Sequence, residues 1–237
     1  MSFLYHTFFY DPLYNVLISL FNTLSWADAG VIIILLTIIV RLILFPLSRK
    51  ATLTQAKMTE AGPELEAIKE KYKDNPEEQT RRTLAFYKEK GINPFSGILV
   101  IIIQLPIIIA LYQIFLHFPE VNADILYSFV QAPIAIDTTF FGIDITSKSW
   151  VLALLAGVST FIQFKLSMTA QNPPKGNSLG DNLARSIQTQ AKYLFPILMF
   201  FIAYQVSGVI GLYFFITNTF SIVQEMFIKK NLKVKTA

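Results

Sequence analysis

Five stretches of the chain are almost entirely apolar, and polar segments separate most of them. A helix rises about 1.5 Å per residue, so roughly 20 apolar residues cross the hydrocarbon core of a bilayer. The pattern therefore predicts an all-α, polytopic membrane protein with five transmembrane helices. These cover 30–47, 95–117, 149–168 and, as two consecutive helices, 193–228. Only three residues, 206–208, separate the last two helices, so we expect them to be antiparallel.

A shorter amphipathic pattern lies in segment 1–29, before the first predicted membrane helix. Polar side chains at Asn15, Ser19 and Asn22 fall opposite the apolar ones. We predict an interfacial helix on the outer surface, with Trp26 at the level of the lipid headgroups. An outward extension of the first membrane helix is the alternative. The apolar positions recur three and four residues apart: Leu13, Val16, Leu17, Leu20, Phe21 and Leu24.

The segment 48–94 is rich in charged residues and in residues that favour helices, and it predicts a cytoplasmic helical hairpin. Pro63 should kink or restart the first arm. The second arm should begin at Pro76 and stop at Gly91. Such a hairpin is either a docking element or a solvated spacer, and the pattern leaves both open.

The composition favours lipid rather than water as the surroundings of this chain. Hydrophobic residues make up 53% and charged residues 15% of the 237, whereas soluble domains have about 25% charged residues. Cysteine is absent, which excludes disulfides, thiol catalysis and cysteine-held metals. The first residues lack the basic start and cleavage site of a secretory signal, so we predict no removable targeting segment.

Positive charge alternates between the polar segments. Segment 48–94 holds ten Lys and Arg, the tail 229–237 holds four Lys, and the loop 169–192 has three basic residues and one acidic. Segment 1–29 has two Asp and no Lys or Arg, and the loop 118–148 has four acidic residues and one Lys. Basic segments remain in the cytoplasm. We therefore predict an extracytoplasmic N-terminus and loop 118–148, and a cytoplasmic C-terminus.

Arg41 lies within the first predicted membrane helix, about 9 Å from its end at Leu47. A charge at the centre of a membrane helix costs about 2.5–3.5 kcal/mol on insertion scales. No acidic residue falls at a similar depth in another predicted helix. We interpret Arg41 as a functional cation beside a wet cavity, with a side chain that snorkels to the headgroups as the alternative.

Polar side chains on other predicted membrane helices are candidates to line the same cavity. Each alone is more often a hydrogen bond between helices, but together with Arg41 they indicate a polar interior. Glu225, by contrast, precedes Lys229 by four residues, and we interpret these two as a structural pair. The candidate groove residues are Arg41, Thr37, Gln104, Gln163, Tyr213, Thr217 and Asn218.

The sequence offers little for catalysis. The two histidines, His6 and His117, fit neither a metal site nor a catalytic triad. No GxxxxGK[ST] loop is present to bind a nucleotide, and no predicted membrane helix has a central Asp or Glu for a proton relay. We predict no enzyme activity, no cofactor, no metal site and no direct readout of nucleic acid.

Several motifs follow one another along nearly the whole chain: 36–47 around Arg41, 63–65 with 69–74, 91–97, 104–107, 161–167, and 207–213 with Thr217, Asn218 and Gln224. In this order and spacing the chain resembles the YidC-type membrane protein insertases, which are related to the mitochondrial oxidase-assembly and chloroplast thylakoid insertases. Two prolines common in that family are missing, one at Val206 and one within 151–154.

The resemblance implies a membrane insertase and chaperone in the bacterial plasma membrane. Its five-helix core would hold a hydrophilic groove that contains Arg41 and opens to the cytoplasm and to lipid. A hydrophobic segment of a newly made client would enter this groove while Arg41 attracts its outer tail, and would then move into lipid. The implied partners are nascent membrane proteins and the bilayer, with the ribosome, targeting machinery and general secretion channel as further partners.

Two other functions remain open from the residues alone. A small channel or carrier for an anionic solute would also need a cation-lined cavity, but bidentate anion recognition should not tolerate Arg41→Lys. A scaffold that assists assembly of other complexes should tolerate the loss of Arg41.

Overall fold

A computed structural model describes residues 2–93, 96–169 and 179–236, and these residues are mostly helical. A π-helical turn, His6–Tyr10, joins the first two helices, and the loop 118–148 contains a 3-10 turn, Ala123–Ile125. The α-helices are α1 (Ser2–Tyr5), α2 (Asp11–Thr23), α3 (Ala29–Glu60), α4 (Gly62–Lys71), α5 (Pro76–Glu89), α6 (Ser96–Leu116), α7 (Trp150–Thr169), α8 (Leu179–Val206) and α9 (Gly208–Thr236). The strands β1 (Thr139–Phe140) and β2 (Ile143–Asp144) pair antiparallel.

Helix α2 is separate from α3 and does not extend it outward. A turn follows α2, and the Asp28 side chain then accepts a hydrogen bond from the backbone N–H of Val31 at the start of α3. Asn15 belongs to the polar face of this helix, opposite its apolar positions. Asn15 is buried, because its side chain bonds the carbonyl of Ile125 and the N–H of Tyr127 in the loop 118–148.

Helix α3 continues well beyond the predicted membrane segment, through Pro46 to Glu60. The predicted restart near Pro63 is confirmed, since α4 begins at Gly62. The predicted start of α5 at Pro76 is also confirmed, and the Asn75 side chain accepts a hydrogen bond from the N–H of Glu78 there. Helix α5 ends before Gly91, which has a positive φ of 61° that suits glycine.

Helices α4 and α5 pack against each other to form a charged pair. Gln79 donates to the carbonyl of Lys69, and Lys90 forms an ion pair with Glu64 at 2.8 Å. Phe86 is buried between the helices with Ala61 and Ile92. We refer to α4 and α5 as the charged helical pair.

Three long helices, α3, α7 and α9, run in the same direction. At one end, Leu152 of α7 packs against Gly208 and Gly211 of α9. At the other end, the side chains of Ser48 in α3 and Gln224 in α9 are hydrogen-bonded at 2.9 Å. Their starts therefore lie at one end of the bundle and their basic ends at the other.

Helices α6 and α8 run opposite to these three. Thr54, near the end of α3, meets Ser96 at the start of α6. In α8, Gln205 accepts a hydrogen bond from Lys148, which precedes α7, while Tyr193 stacks near Phe161 further along α7. The chain reverses sharply at Ser207, between α8 and α9. Helix α7 packs against both of these helices more extensively than they pack against each other, and it therefore lies between them.

The loop 118–148 has more structure than the sequence indicated. Its Asp137 carbonyl accepts from the N–H of Ala29, at the start of α3, and its Ile145 carbonyl accepts from the N–H of Val209, at the start of α9. Ile145 is fully buried. The loop therefore covers the end of the bundle where the three parallel helices begin.

Three helices of the described chain are long and apolar enough to cross a membrane, and they are α3, α7 and the part of α9 within Gly208–Lys230. Shorter apolar stretches lie within α6 at Ile102–Leu116 and within α8 at Lys192–Val206. The chain is thus a multi-pass membrane protein.

Candidate functional site

Arg41 lies on α3 with a partly exposed side chain, facing α9. It interacts electrostatically with the hydroxyl of Tyr213, which is buried. Among the described residues, no carboxylate lies within ion-pair distance of Arg41. The guanidinium therefore keeps hydrogen-bonding capacity for a group from outside the chain.

Tyr213 connects three helices around this cation. Its side chain contacts Gln104 on α6 and Thr217 one turn later on α9. The contact between the Thr217 hydroxyl and Tyr213 does not have the geometry of a hydrogen bond. The buried Thr217 hydroxyl therefore has no hydrogen-bond partner within the described residues. Four of the predicted groove residues, Arg41, Gln104, Tyr213 and Thr217, are thus brought together between α3, α6 and α9.

The other three predicted groove residues satisfy their polar groups elsewhere. Thr37 is buried one turn before Arg41 and donates to the carbonyl of Ile33 in its own helix. Asn218 donates to the hydroxyls of Ser159 and Thr160 and so joins α9 to α7.

Gln163 belongs to a polar cluster at the opposite end of the bundle from the loop 118–148. It donates to Ser167, whose hydroxyl donates to Glu225 at 2.7 Å. Glu225 also forms an ion pair with Lys229 at 2.6 Å, so the predicted structural pair is confirmed. The cluster holds α7 and α9 together at this end of the bundle. The charge of Glu225 is neutralised by Lys229 of the same helix.

An apolar cavity of about 550 Å³ adjoins the Arg41 cluster. Helices α6 and α8 face each other across it, and α9 forms its floor. Tyr213 belongs to both places, since it lines the cavity and contacts Arg41. The lining is Ile108, Ile109, Tyr112, Phe115, Met199, Phe201, Ile202, Gln205, Val206, Ile210, Tyr213 and Phe214.

The sequence reasoning missed most residues of this cavity. A run of apolar side chains gives no signal that distinguishes a cavity-facing position from a lipid-facing one, because both surroundings are apolar. Tyr213 was indicated by the sequence, and Gln205, at the end of α8, is a further polar residue of the lining that the pattern could have indicated.

Metal ligands are not gathered anywhere in the described part of the chain, where no group of three or more His, Asp or Glu side chains is close enough to hold an ion. Arrangements for covalent catalysis are also missing around Arg41, whose neighbours are a phenol, an amide and a hydroxyl. These groups bind and orient other molecules by hydrogen bonds and charge.

Outside the membrane helices, the strongest electrostatic feature is at the start of α5. Glu78 accepts hydrogen bonds from Arg81 and Arg82, each at 2.8 Å. These bonds lower the pKa of the Glu78 carboxyl to about 2. The charged helical pair therefore keeps this carboxylate ionised under any physiological condition.

Comparison with known proteins decides the family of this arrangement. The family model described as "60Kd inner membrane protein" matches residues 19–236. The chain belongs to this family. One relative, named membrane protein insertase YidC, from Fusobacterium nucleatum, is 31% identical over 226 residues, covering 94% of this chain and 98% of the relative.

Other members of the family carry the same name and are longer. The protein from Wolinella succinogenes is 32% identical over 230 residues, which are 97% of this chain and 38% of that relative. The protein from Campylobacter jejuni is 29% identical over 226 residues, again 38% of its length. The predicted resemblance to YidC-type insertases is thus confirmed, and the names agree with the prediction that the chain is not an enzyme.

Proposed function

We propose that this protein is a membrane protein insertase and chaperone that moves hydrophobic segments of newly made proteins into the bilayer. Membership of the family supports the role. The carrying observation is Arg41, a cation that has no carboxylate partner within the described part of the chain and that adjoins an apolar cavity through Tyr213. A client that spans the membrane has the complementary pair of features, an apolar segment and a polar tail.

The apolar cavity between α6 and α8 is the place we propose for the client's hydrophobic segment. Its walls are almost entirely apolar, so entry removes client surface from water. Tyr213 forms the border between this cavity and the Arg41 cluster, and we propose that the client's polar tail lies against the guanidinium, Gln104 and Thr217. The segment then leaves sideways into lipid without an energy source such as ATP.

The attraction between Arg41 and an acidic tail is worth more here than in water. Two unit charges 4 Å apart gain about 1 kcal/mol in water and about 4 kcal/mol at an effective dielectric constant of about 20. This gain offsets part of the cost of moving the tail into the membrane. Because it is a local attraction, the tail can be released once the apolar segment has entered lipid.

The proposed topology has five membrane helices, α3, α6, α7, α8 and α9, with the N-terminus and loop 118–148 outside. Two features support it: α6 and α8 run opposite to the other three helices, and the basic ends of α3 and α9 lie together. We propose that the charged helical pair is in the cytoplasm and receives clients, the ribosome or targeting machinery there, and that the general secretion channel is a further partner.

A reconstituted insertion assay tests this function. Purified protein in liposomes receives a client with one hydrophobic segment and an acidic outer tail, and protease protection of the tail reports insertion. We expect Arg41→Ala to lower insertion by about tenfold, equivalent to about 1.4 kcal/mol, and Arg41→Lys to retain most of it. The matched control is Arg49→Ala, which removes an exposed cation from the same helix.

A client with a neutral tail should insert equally well with Arg41 and with Ala at this position. Full insertion of the acidic client by Arg41→Ala would contradict the proposed role of the cation. Equal loss in the Ala and Lys variants would instead indicate bidentate recognition of an anion, as in a solute carrier.

A further inference from the structure

The turn between β1 and β2 carries a bulky aromatic residue in a conformation that does not suit it. Phe141 and Gly142 form a two-residue connection with φ angles of 47° and 77°. Hairpin turns of this length with two positive φ angles favour Asn-Gly or Asp-Gly, and a bulky residue with a positive φ is uncommon. Phe141 is 90% exposed, so contacts within the chain do not offset the energetic cost of this backbone conformation.

The hairpin that carries Phe141 is firmly held by its other residues. The ring of Phe140 packs so closely against Gly30 of α3 that a side chain at Gly30 would overlap it. The carbonyl of Asp137 accepts from the N–H of Ala29 at 2.8 Å. Phe141 stacks edge-on against Phe140 at 4.7 Å and is otherwise directed away from the bundle.

The hairpin lies at the level where three membrane helices begin. Helix α3 starts beside it, α7 starts directly after the loop at Trp150, and the N–H of Val209, at the start of α9, donates to Ile145 at 2.8 Å. Trp26 and Trp150 at the same end are 78% and 65% exposed. Trp and Tyr side chains at the ends of membrane helices lie at the headgroup level of a bilayer, so these two tryptophans indicate where the headgroups lie at this end of the bundle.

We propose that Phe141 inserts into the headgroup region of the lipid bilayer and anchors the loop 118–148 to the membrane. The occupant of this exposed aromatic tip is therefore phospholipid. The boundary between the headgroups and the acyl chains, which apolar side chains can reach from the membrane surface, supplies the apolar surroundings that the chain itself does not give Phe141. Through Asp137 and Ile145, the anchored loop would fix the starts of α3 and α9 relative to the membrane surface. The inference does not depend on the insertase function.

Site-specific fluorescence tests this contact directly, because the chain has no natural cysteine. Phe141→Cys is labelled with an environment-sensitive dye in the full-length protein, in vesicles of phosphatidylcholine with phosphatidylglycerol as the minor lipid. The control is Glu120→Cys, an exposed polar position of the same loop. We expect nitroxide-headgroup lipids to quench the dye at 141 several-fold more than at 120, and aqueous iodide to do the reverse.

Two results would overturn the proposal. Equal iodide quenching at 141 and 120 without quenching by lipid would show that the tip is in water. Protection from iodide without lipid quenching would show that a protein, such as a second copy of this chain, covers it.

Two further variants separate the loss of lipid contact from an effect on folding. Asn adopts a positive φ more readily than Phe, so Phe141→Asn removes the ring without adding backbone strain. We expect Phe141→Asn, but not Phe141→Trp, to speed amide exchange in 139–144 several-fold in the vesicles. Slower or unchanged exchange in Phe141→Asn would mean that the ring has no partner in lipid, and would contradict the anchor.

Discussion

Polar side chains inside the bundle divide into those that join helices and those around Arg41. Asn218, Gln163 and Thr37 have their hydrogen bonds within the chain, whereas Arg41 has no carboxylate partner among the residues described here. The sequence could identify Arg41, because a cation is unusual at that depth in any membrane helix. It could not separate the polar residues beside Arg41 from those that join helices, since both sets include amides and hydroxyls and helix rotation decides which way they face.

Asn218 is expected to contribute to stability rather than to insertion. Hydrogen bonds between membrane helices contribute about 0.6 kcal/mol on average and up to about 1.7, so Asn218→Ala should lower the stability by about 1–2 kcal/mol. Unfolding of the purified protein in detergent measures this loss. Thr219→Ala, which removes an exposed hydroxyl that donates to the carbonyl of Phe215 in its own helix, is the control. Insertion lost in Asn218→Ala at unchanged stability would instead place Asn218 in the groove.

Glu78 gives the charged helical pair a defined response to acid. Its pKa of about 2 is below the value of about 4.3 in unfolded chains. Its ion pairs therefore stabilise the start of α5 fully above about pH 4.5, and this contribution is lost as the pH falls toward about 2. NMR titration of the carboxyl carbon should give this low midpoint. In Arg81→Gln with Arg82→Gln the midpoint should rise, and an unchanged midpoint would contradict the assigned cause.

At the scale of elements, helix starts and stops were predictable where a single residue decides them, as at Pro63, Pro76 and Gly91. The extension of α3 to Glu60 was not predictable, because its apolar first part and its charged second part join without any break in helical propensity. The hairpin in the loop 118–148 was also missed. Its turn has Phe141 where Asn or Asp is usual, so the sequence lacks the normal signal for such a turn.

The contact between α7 and α9 depends on a small residue. A methyl group at Gly211 would lie 2.9 Å from the backbone carbon of Leu152, and backbone cannot move aside easily. At Gly157 the corresponding contacts with α8 are 3.2 Å. Gly211→Ala should therefore lower the unfolding temperature more than Gly157→Ala, with a cost of about 1–3 kcal/mol for the overpacked position. Equal effects of the two substitutions would contradict this packing.

At the scale of the whole molecule, the charge pattern and the helix directions independently indicate that segments 48–94 and 229–237 lie on the same side of the membrane. Lys and Arg counts alone predicted that 48–94 and 229–237 share one side of the membrane. In the structure, α3 and α9 run in the same direction and are joined in their second halves by the hydrogen bond between Ser48 and Gln224. The sequence could not show that α7 lies between α8 and α9, because the order of helices around a bundle depends on packing surfaces that are all apolar.

The proposed orientation is open to a labelling test. Single cysteines replace Glu120 in the loop 118–148 and Thr80 in α5, and intact cells are treated with a maleimide that does not cross membranes. Glu120→Cys should react in intact cells, and Thr80→Cys only after the membrane is opened. The reverse pattern would contradict the proposed topology.

Client contact beside Arg41 is the central claim, and photocrosslinking tests it most directly. A photoreactive residue replaces Gln104, next to the cation, or Ile43, which is exposed on α3 away from the cluster. The partner is a ribosome-bound nascent chain with one hydrophobic segment and an acidic tail. We predict crosslinks from position 104 and few from 43, lost in Arg41→Ala and restored in Arg41→Lys. Equal crosslinks from both positions, or crosslinks at 104 unchanged by Arg41→Ala, would contradict a client groove built around this cation.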